Sequence, residues 1–180
     1  MQPSLSGADI LCKTSANRWT ICTTKDAVVD ALEVNLIELF TLEPRIGVLE
    51  ASRRLGVARG TVTARLDRLE RAGVISGWGP SLDPAALGHP VTAFLTLEIR
   101  QGAGHDAVAR HLATIPEVLE ACTITGPGDM WARVVARSNS DLQTVIDRAL
   151  DHPGIVRSTT VIALATQVPY RTGPLLRSSL

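Results

Sequence analysis

The sequence has no net charge with which to attract a polyanion: its 180 residues carry eighteen lysines and arginines against eighteen aspartates and glutamates. Any contact with nucleic acid must come from local clustering, not from an overall field. Metal-ligand spacing is missing too. Cys12, Cys22 and Cys122 form no CxxC pair and stand apart from any histidine cluster, which argues against a structural zinc site. Cys122, inside the apolar run Ala121-Cys122-Thr123-Ile124, is expected to be a buried, reduced thiol. No run of apolar residues is long enough to span a bilayer, and no basic stretch leads into an apolar one near the N-terminus. The cytoplasm is the expected compartment, with no membrane partner. Catalytic constellations are also lacking. His89, His105, His111 and His152 are scattered, no nucleophile sits beside a plausible base, and no glycine-rich phosphate loop opens a helix. The chain is expected not to be an enzyme and to need neither cofactor nor metal.

What the sequence does have is a globular composition, 45% hydrophobic and 20% charged. Residues 1–25 show no sustained period and form an N-terminal extension of uncertain order. From Asp26 the signals turn helical. Val29, Leu32, Leu36, Leu39 and Phe40 recur at three- and four-residue intervals, the spacing of one helix face, up to a stop before Pro44. A second helix is predicted over 48–55, ended by Gly56, and a third over about 59–72, burying Val62, Leu66 and Leu69 and stopping at Gly73. These make a helix-turn-helix domain at 26–76. Val74-Ile75 has short-strand character, and Asp83-Pro84 opens a single helical turn in a linker at 77–89. Strand 91–99, helix 105–114, strands 118–125 and 130–136, helix 141–150 and a last strand over 156–168 then give βαββαβ. The fold class is therefore α+β: a helix-turn-helix head, a ferredoxin-like domain with an antiparallel sheet at 90–170, and a tail at 171–180.

Six arginines, Arg53, Arg54, Arg59, Arg65, Arg68 and Arg71, lie in one short stretch against only Asp67 and Glu70. If the third helix enters the major groove, Arg59, Thr61, Thr63 and Arg65 reach DNA, Gly60 permits close approach, and Arg54 and Arg68 take phosphates. The competing reading is a solvated helix face whose arginines pair with Asp67 and Glu70 at helical spacing. Trp78 and Trp131 are expected to pack.

Three segments narrow the choice: VDALEVNLI at 29–37, RIGVLEASRRLGV at 45–57 and RLDRLERAGVI at 65–75. Together with Leu82-Asp83-Pro84, Leu87-Gly88 and Thr125-Gly126-Pro127-Gly128-Asp129, their order and spacing resemble the Lrp/AsnC (feast/famine) family of bacterial transcription regulators over about residues 26–170. The resemblance implies a winged-helix-like DNA-binding head, a strand-bearing linker and a domain that binds effectors and oligomerises. It further implies dimers formed through paired sheets, often four of them in an octameric ring with amino acids bound between dimers. The expected partners are double-stranded promoter DNA, an amino acid effector and further copies of the chain, in a nucleoid-associated regulator of amino acid metabolism.

In that family a Gly-x-x-Asp signature lies near the effector, which maps here to Gly126, Pro127, Gly128 and Asp129, with Ser158 and Thr160 at hydroxyl positions. A carboxylate suits an α-ammonium group, and the amides of a glycine turn suit a carboxylate. The same tetrapeptide also reads as an ordinary hairpin turn in which Asp129 caps the backbone. Two departures stand out: Pro127 and Gly128 supply neither the acid nor the aromatic that relatives often hold there, and Glu33 replaces an aspartate in the first helix. A second functional reading is a metabolite-binding or protein-interaction module that does not bind DNA.

Overall fold

A computed structural model describes residues 9–13, 19–23, 29–100, 102 and 104–178; the rest of the extension expected at 1–25 lies outside the described residues. Within it, β1 (Asp9–Lys13) and β2 (Trp19–Thr23) pair antiparallel, with Asp9 opposite Thr23 and Lys13 opposite Trp19. Contacts divide the chain into two units, Met1–Gly79 with Tyr170–Leu180, and Pro80–Pro169.

The first unit holds α1 (Ala31–Leu42), α2 (Val48–Leu55) and α3 (Arg59–Arg71). α1 opens on a capping box: the Asp30 carboxylate accepts from the Glu33 amide at 2.9 Å, and the Glu33 carboxylate accepts from the Asp30 amide at 3.2 Å. α2 gives way to Gly56 at φ 65°, where a side chain would be strained, so the turn into α3 needs glycine. α3 ends in a Schellman motif, with Gly73 at φ 71° and the Val74 amide donating to the Leu69 carbonyl at 2.9 Å. The Ile75 amide donates to the same carbonyl. The strand character expected at Val74-Ile75 is therefore not realised, because the donors a ladder would use are taken up by the helix end. The strand-bearing linker is likewise absent: among the described residues no strand follows α3 until residue 91. Asp83 does cap the turn after it, accepting from the Ala85 amide at 3.0 Å.

Leu36, Ala51, Val62 and Leu66 make one buried cluster of this unit, and Val29, Val34 and Leu69 a second. Each buried valine or leucine contributes about 1.5–3 kcal/mol, against at most about 1 kcal/mol for an exposed ion pair, so the helix faces and not the surface charges hold the bundle. Part of the expected tail at 171–180 completes it. α6 (Gly173–Ser178, the last helix) sets Leu176 against the second cluster, and Arg177 forks onto both carboxylate oxygens of Glu38 at 2.8 and 2.9 Å.

The second unit contains β3 (Val91–Ile99), α4 (His105–Leu112), β4 (Val118–Thr123), β5 (Met130–Ala136), α5 (Asn139–Leu150) and β6 (Ile155–Ile162). The sheet order is β4-β5-β3-β6, antiparallel throughout. Ala93, Leu95 and Leu97 alternate inward along β3 and pack with Val108 and Leu112 of α4 and with Leu142, Val145 and Ala149 of α5. Both helices thus cover one face of the sheet.

Two expectations fail in this unit for local reasons. β6 stops at Ile162 instead of near 168, because its neighbour β3 begins just after Pro90; the last cross-strand bond runs from the Ala163 amide to the Thr92 carbonyl. Cys122 is exposed, not buried: it lies on the edge strand β4 opposite Trp131, on the face turned away from α4 and α5 and left free of helices within this unit's described residues.

Candidate nucleic-acid interface and effector turn

Burying Val62, Leu66 and Leu69 fixes the rotation of α3 and leaves Arg59, Gly60, Thr63, Ala64, Asp67 and Arg71 exposed on its opposite side. This outer face is small and weakly charged in its middle. At its start the N-cap position is Ala58, which has no capping side chain, so the Arg59 and Gly60 amides open a first turn suited to an anion, beside the Arg59 guanidinium. Thr63 is exposed and donates its hydroxyl to the Arg59 carbonyl at 3.3 Å, whereas Thr61 is half-buried.

The arginines meet different fates. Arg65 and Arg68 reach back to α1, where the fully buried Glu33 carboxylate accepts from Arg68 Nε at 2.7 Å and from Arg65 Nη1 at 3.1 Å. Arg65 Nη1 also pairs with Asp30 at 2.7 Å, and Arg68 adds a second, short contact to Glu33. The Arg68 guanidinium, outweighing the opposing effect of burial, holds the Glu33 carboxyl below its usual range. Both arginine side chains stay over one-third exposed, at 36% and 39%, so they fasten α3 to α1 while keeping an edge toward solvent. The sequence offered no sign of this clasp, which spans 32 and 35 residues. Arg54 pairs with Glu43 and Glu50 next to it, and Arg53 with Glu50.

The alternative pairing scheme is corrected by these contacts. Among the described residues neither Asp67 nor Glu70 forms an ion pair with an arginine: Arg71 donates to the backbone carbonyl of Asp67 at 3.1 Å, and Glu70 accepts from Trp78 Nε1 at 2.6 Å. Trp78 also meets Phe40 edge-on at 5.3 Å, yet it stays 53% exposed, so the packing expected of it is one-sided.

In the second unit, Asp129 ties the effector-signature turn to β3. Its amide donates to the Leu97 carbonyl at 2.8 Å, and its Oδ2 accepts from the Ile99 amide at 2.7 Å. Gly128, at φ 89°, lies so close to β3 that a Cβ would sit 2.5 Å from Thr96 Cγ2 and 3.2 Å from the Leu97 carbonyl oxygen, so any side chain there strains the backbone and displaces Thr96. Gly126 also has a positive φ, and Pro127 stands between the two. On the other side of β3, Ser158 lies opposite Leu97 and Thr160 opposite Leu95, both half-buried. Directly paired residues share a face, so these hydroxyls point to the helix-covered side, while Gly128 rests against Thr96 on the other. One chain does not bring the turn and the hydroxyls together.

The helix-free face of the sheet carries Phe94 stacked on Trp131 at 5.3 Å, with the Arg133 guanidinium carbon 5.9 and 5.8 Å from the two ring centroids. Val161, paired with Phe94, is exposed beside them.

The Lrp/AsnC ligand binding domain family matches residues 92–172, and the winged helix-turn-helix DNA-binding family matches residues 29–76. The HTH-type transcriptional regulator FL11 of Pyrococcus horikoshii is 28% identical over 138 residues, covering 77% of this chain and 91% of its own length. The structure of Escherichia coli AsnC superposes with a TM-score of 0.74 at 25% identity, covering 81% of this chain and 99% of that one. A transcriptional regulator of Neisseria meningitidis, solved in complex with L-methionine, shares the fold with a TM-score of 0.71 at 22% identity, covering 81% of this chain and 95% of that one. These relatives are regulators of transcription, not enzymes.

Proposed function

Because this chain belongs to the Lrp/AsnC family of transcription regulators, we propose that it binds promoter DNA of amino acid metabolism genes and responds to an amino acid, or a related small molecule, bound between subunits. The observation that carries the DNA half is the outer face of α3: its buried side is locked by Val62, Leu66 and Leu69, which leaves Arg59, Gly60 and Thr63 free for a major groove. Arg54, Arg65 and Arg68, already paired within the head, supply phosphate contacts through their exposed edges. The sensing half rests on the Gly126–Asp129 turn and the Ser158 and Thr160 hydroxyls. Their separation by β3 within one chain favours a site completed by a second subunit. The relative solved with L-methionine supports an amino acid as the ligand class.

The helix-free sheet face, with its stacked aromatic pair and exposed Val161, suits a second copy of the chain, and further association of such dimers gives the octamer. Among the described residues no helix is long and apolar enough to cross a membrane. A cytoplasmic, nucleoid-associated protein fits this reading.

The test is a titration of duplex from upstream of the protein's own gene over a range of salt, repeated with each amino acid while particle size is followed by sedimentation. Affinity that falls steeply with salt is expected, since each phosphate contact contributes about 0.9 to the slope of log K against log salt. Failure to bind duplex even at low salt would remove the DNA half in favour of a module that does not bind DNA. If no amino acid changes either affinity or particle size, the sensing half is wrong.

A further inference from the structure

We propose that Asp67 is a specificity-determining residue that selects a cytosine in the major groove, an inference that rests on the DNA-binding reading above. Arg59, Thr63, Asp67 and Arg71 follow one another at four-residue spacing on the exposed side of α3. At 1.5 Å per residue, Asp67 stands about 6 Å along the helix from Thr63 and about 12 Å from Arg59, within the reach of a helix lying in a groove. Gly60, Thr63 and Ala64, the residues toward the start of the helix beside it, are small, so that part of this side can come close to base edges.

The charge of Asp67 is what makes it informative. In a stretch so rich in arginine its carboxylate would be expected to be neutralised, yet the fold directs the guanidinium groups elsewhere. Arg65 and Arg68 turn to Glu33 on the far side of the helix, and Arg71 bonds the Asp67 carbonyl oxygen instead of its side chain. A carboxylate that is exposed, and unpaired among the described residues, is thus carried toward a polyanion. Against phosphates it is repelled, against the acceptor atoms of guanine or thymine it finds no donor, and at adenine the N6 donor sits beside the N7 acceptor, which repels a carboxylate. The N4 amine of cytosine is the partner that aspartate geometry suits. Asp67 therefore weakens binding to most sequences and spares those that place a cytosine at one position of each half-site, which is how a difference in affinity becomes specificity.

The test is selection from a random duplex library by the full-length protein and its Asp67→Ala and Asp67→Asn variants at one fixed salt concentration. Wild type is expected to enrich a cytosine at one column of each half-site. Asp67→Ala should lose about tenfold of that preference, while binding random duplex more tightly than wild type. Asp67→Asn should move the same column toward adenine, whose N6 and N7 atoms match an amide. As Asp67 is exposed, both variants should keep the wild-type melting curve and particle size. Identical enriched sequences for all three proteins would overturn the assignment. A wild-type protein that enriches nothing would instead defeat sequence-specific DNA binding itself, and the role of Asp67 with it.

Discussion

Glu33 does two tasks with one carboxylate: it closes the capping box of α1 and holds Arg65 and Arg68 of α3. A glutamate suits this position, because its side chain reaches both the Asp30 amide and the guanidinium groups across the helix pair. Replacing it by glutamine leaves two arginines facing a neutral group. Glu33→Gln should destabilise the head by about 2 kcal/mol in urea unfolding, less than the full cost of orphaning a buried ion because both arginines are partly hydrated. The pH dependence follows from the direction of the shift. The folded carboxyl titrates below its unfolded value, so its contribution is complete above the unfolded pKa of about 4.3 and fades as pH falls through the lower, folded one. Wild type and Glu33→Gln should therefore differ most near neutrality and converge in acid; a gap independent of pH would contradict the clasp.

Among the elements, the three helices of the head and the βαββαβ order were legible because burial stamps periods of 3.6 and 2 on a sequence. Val62, Leu66 and Leu69, or Ala93, Leu95 and Leu97, announce themselves. Limits set by a distant neighbour were not legible: β6 ends where β3 runs out of residues to pair with, and nothing in residues 163–168 records that. The same holds for the candidate interface. Local spacing offered Asp67 and Glu70 as partners for the arginines, whereas Arg65 and Arg68 pair with Glu33 on another helix and Arg53 and Arg54 with Glu50 on their own, so the residues facing outward could be sorted only in three dimensions. The sorting has a measurable consequence for α3. Arg59, exposed and unpaired among the described residues, is its cleanest phosphate or base contact. Arg59→Ala should weaken duplex binding about tenfold and lower the salt slope by about 0.9 per head, with particle size unchanged.

For the whole molecule, the helix-free sheet face is the feature that one chain leaves unfinished. Phe94, Trp131 and Arg133 form a stacked, partly shielded group, and Val161 extends it into solvent. Val161→Asp should leave the sensing unit folded, since the side chain lies outside the core, yet shift the particle from dimer toward monomer by at least about tenfold in dissociation constant. Equilibrium sedimentation decides this, and an unchanged dimer would place the subunit contact elsewhere.

α6 adds a constraint of chain order. Leu176 and Arg177, which brace the N-terminal bundle, are separated from it along the chain by the whole of the second unit. The head thus draws this packing contact from a segment that follows the second unit in sequence, and a chain cut anywhere between residues 80 and 172 carries a DNA-binding head without its brace.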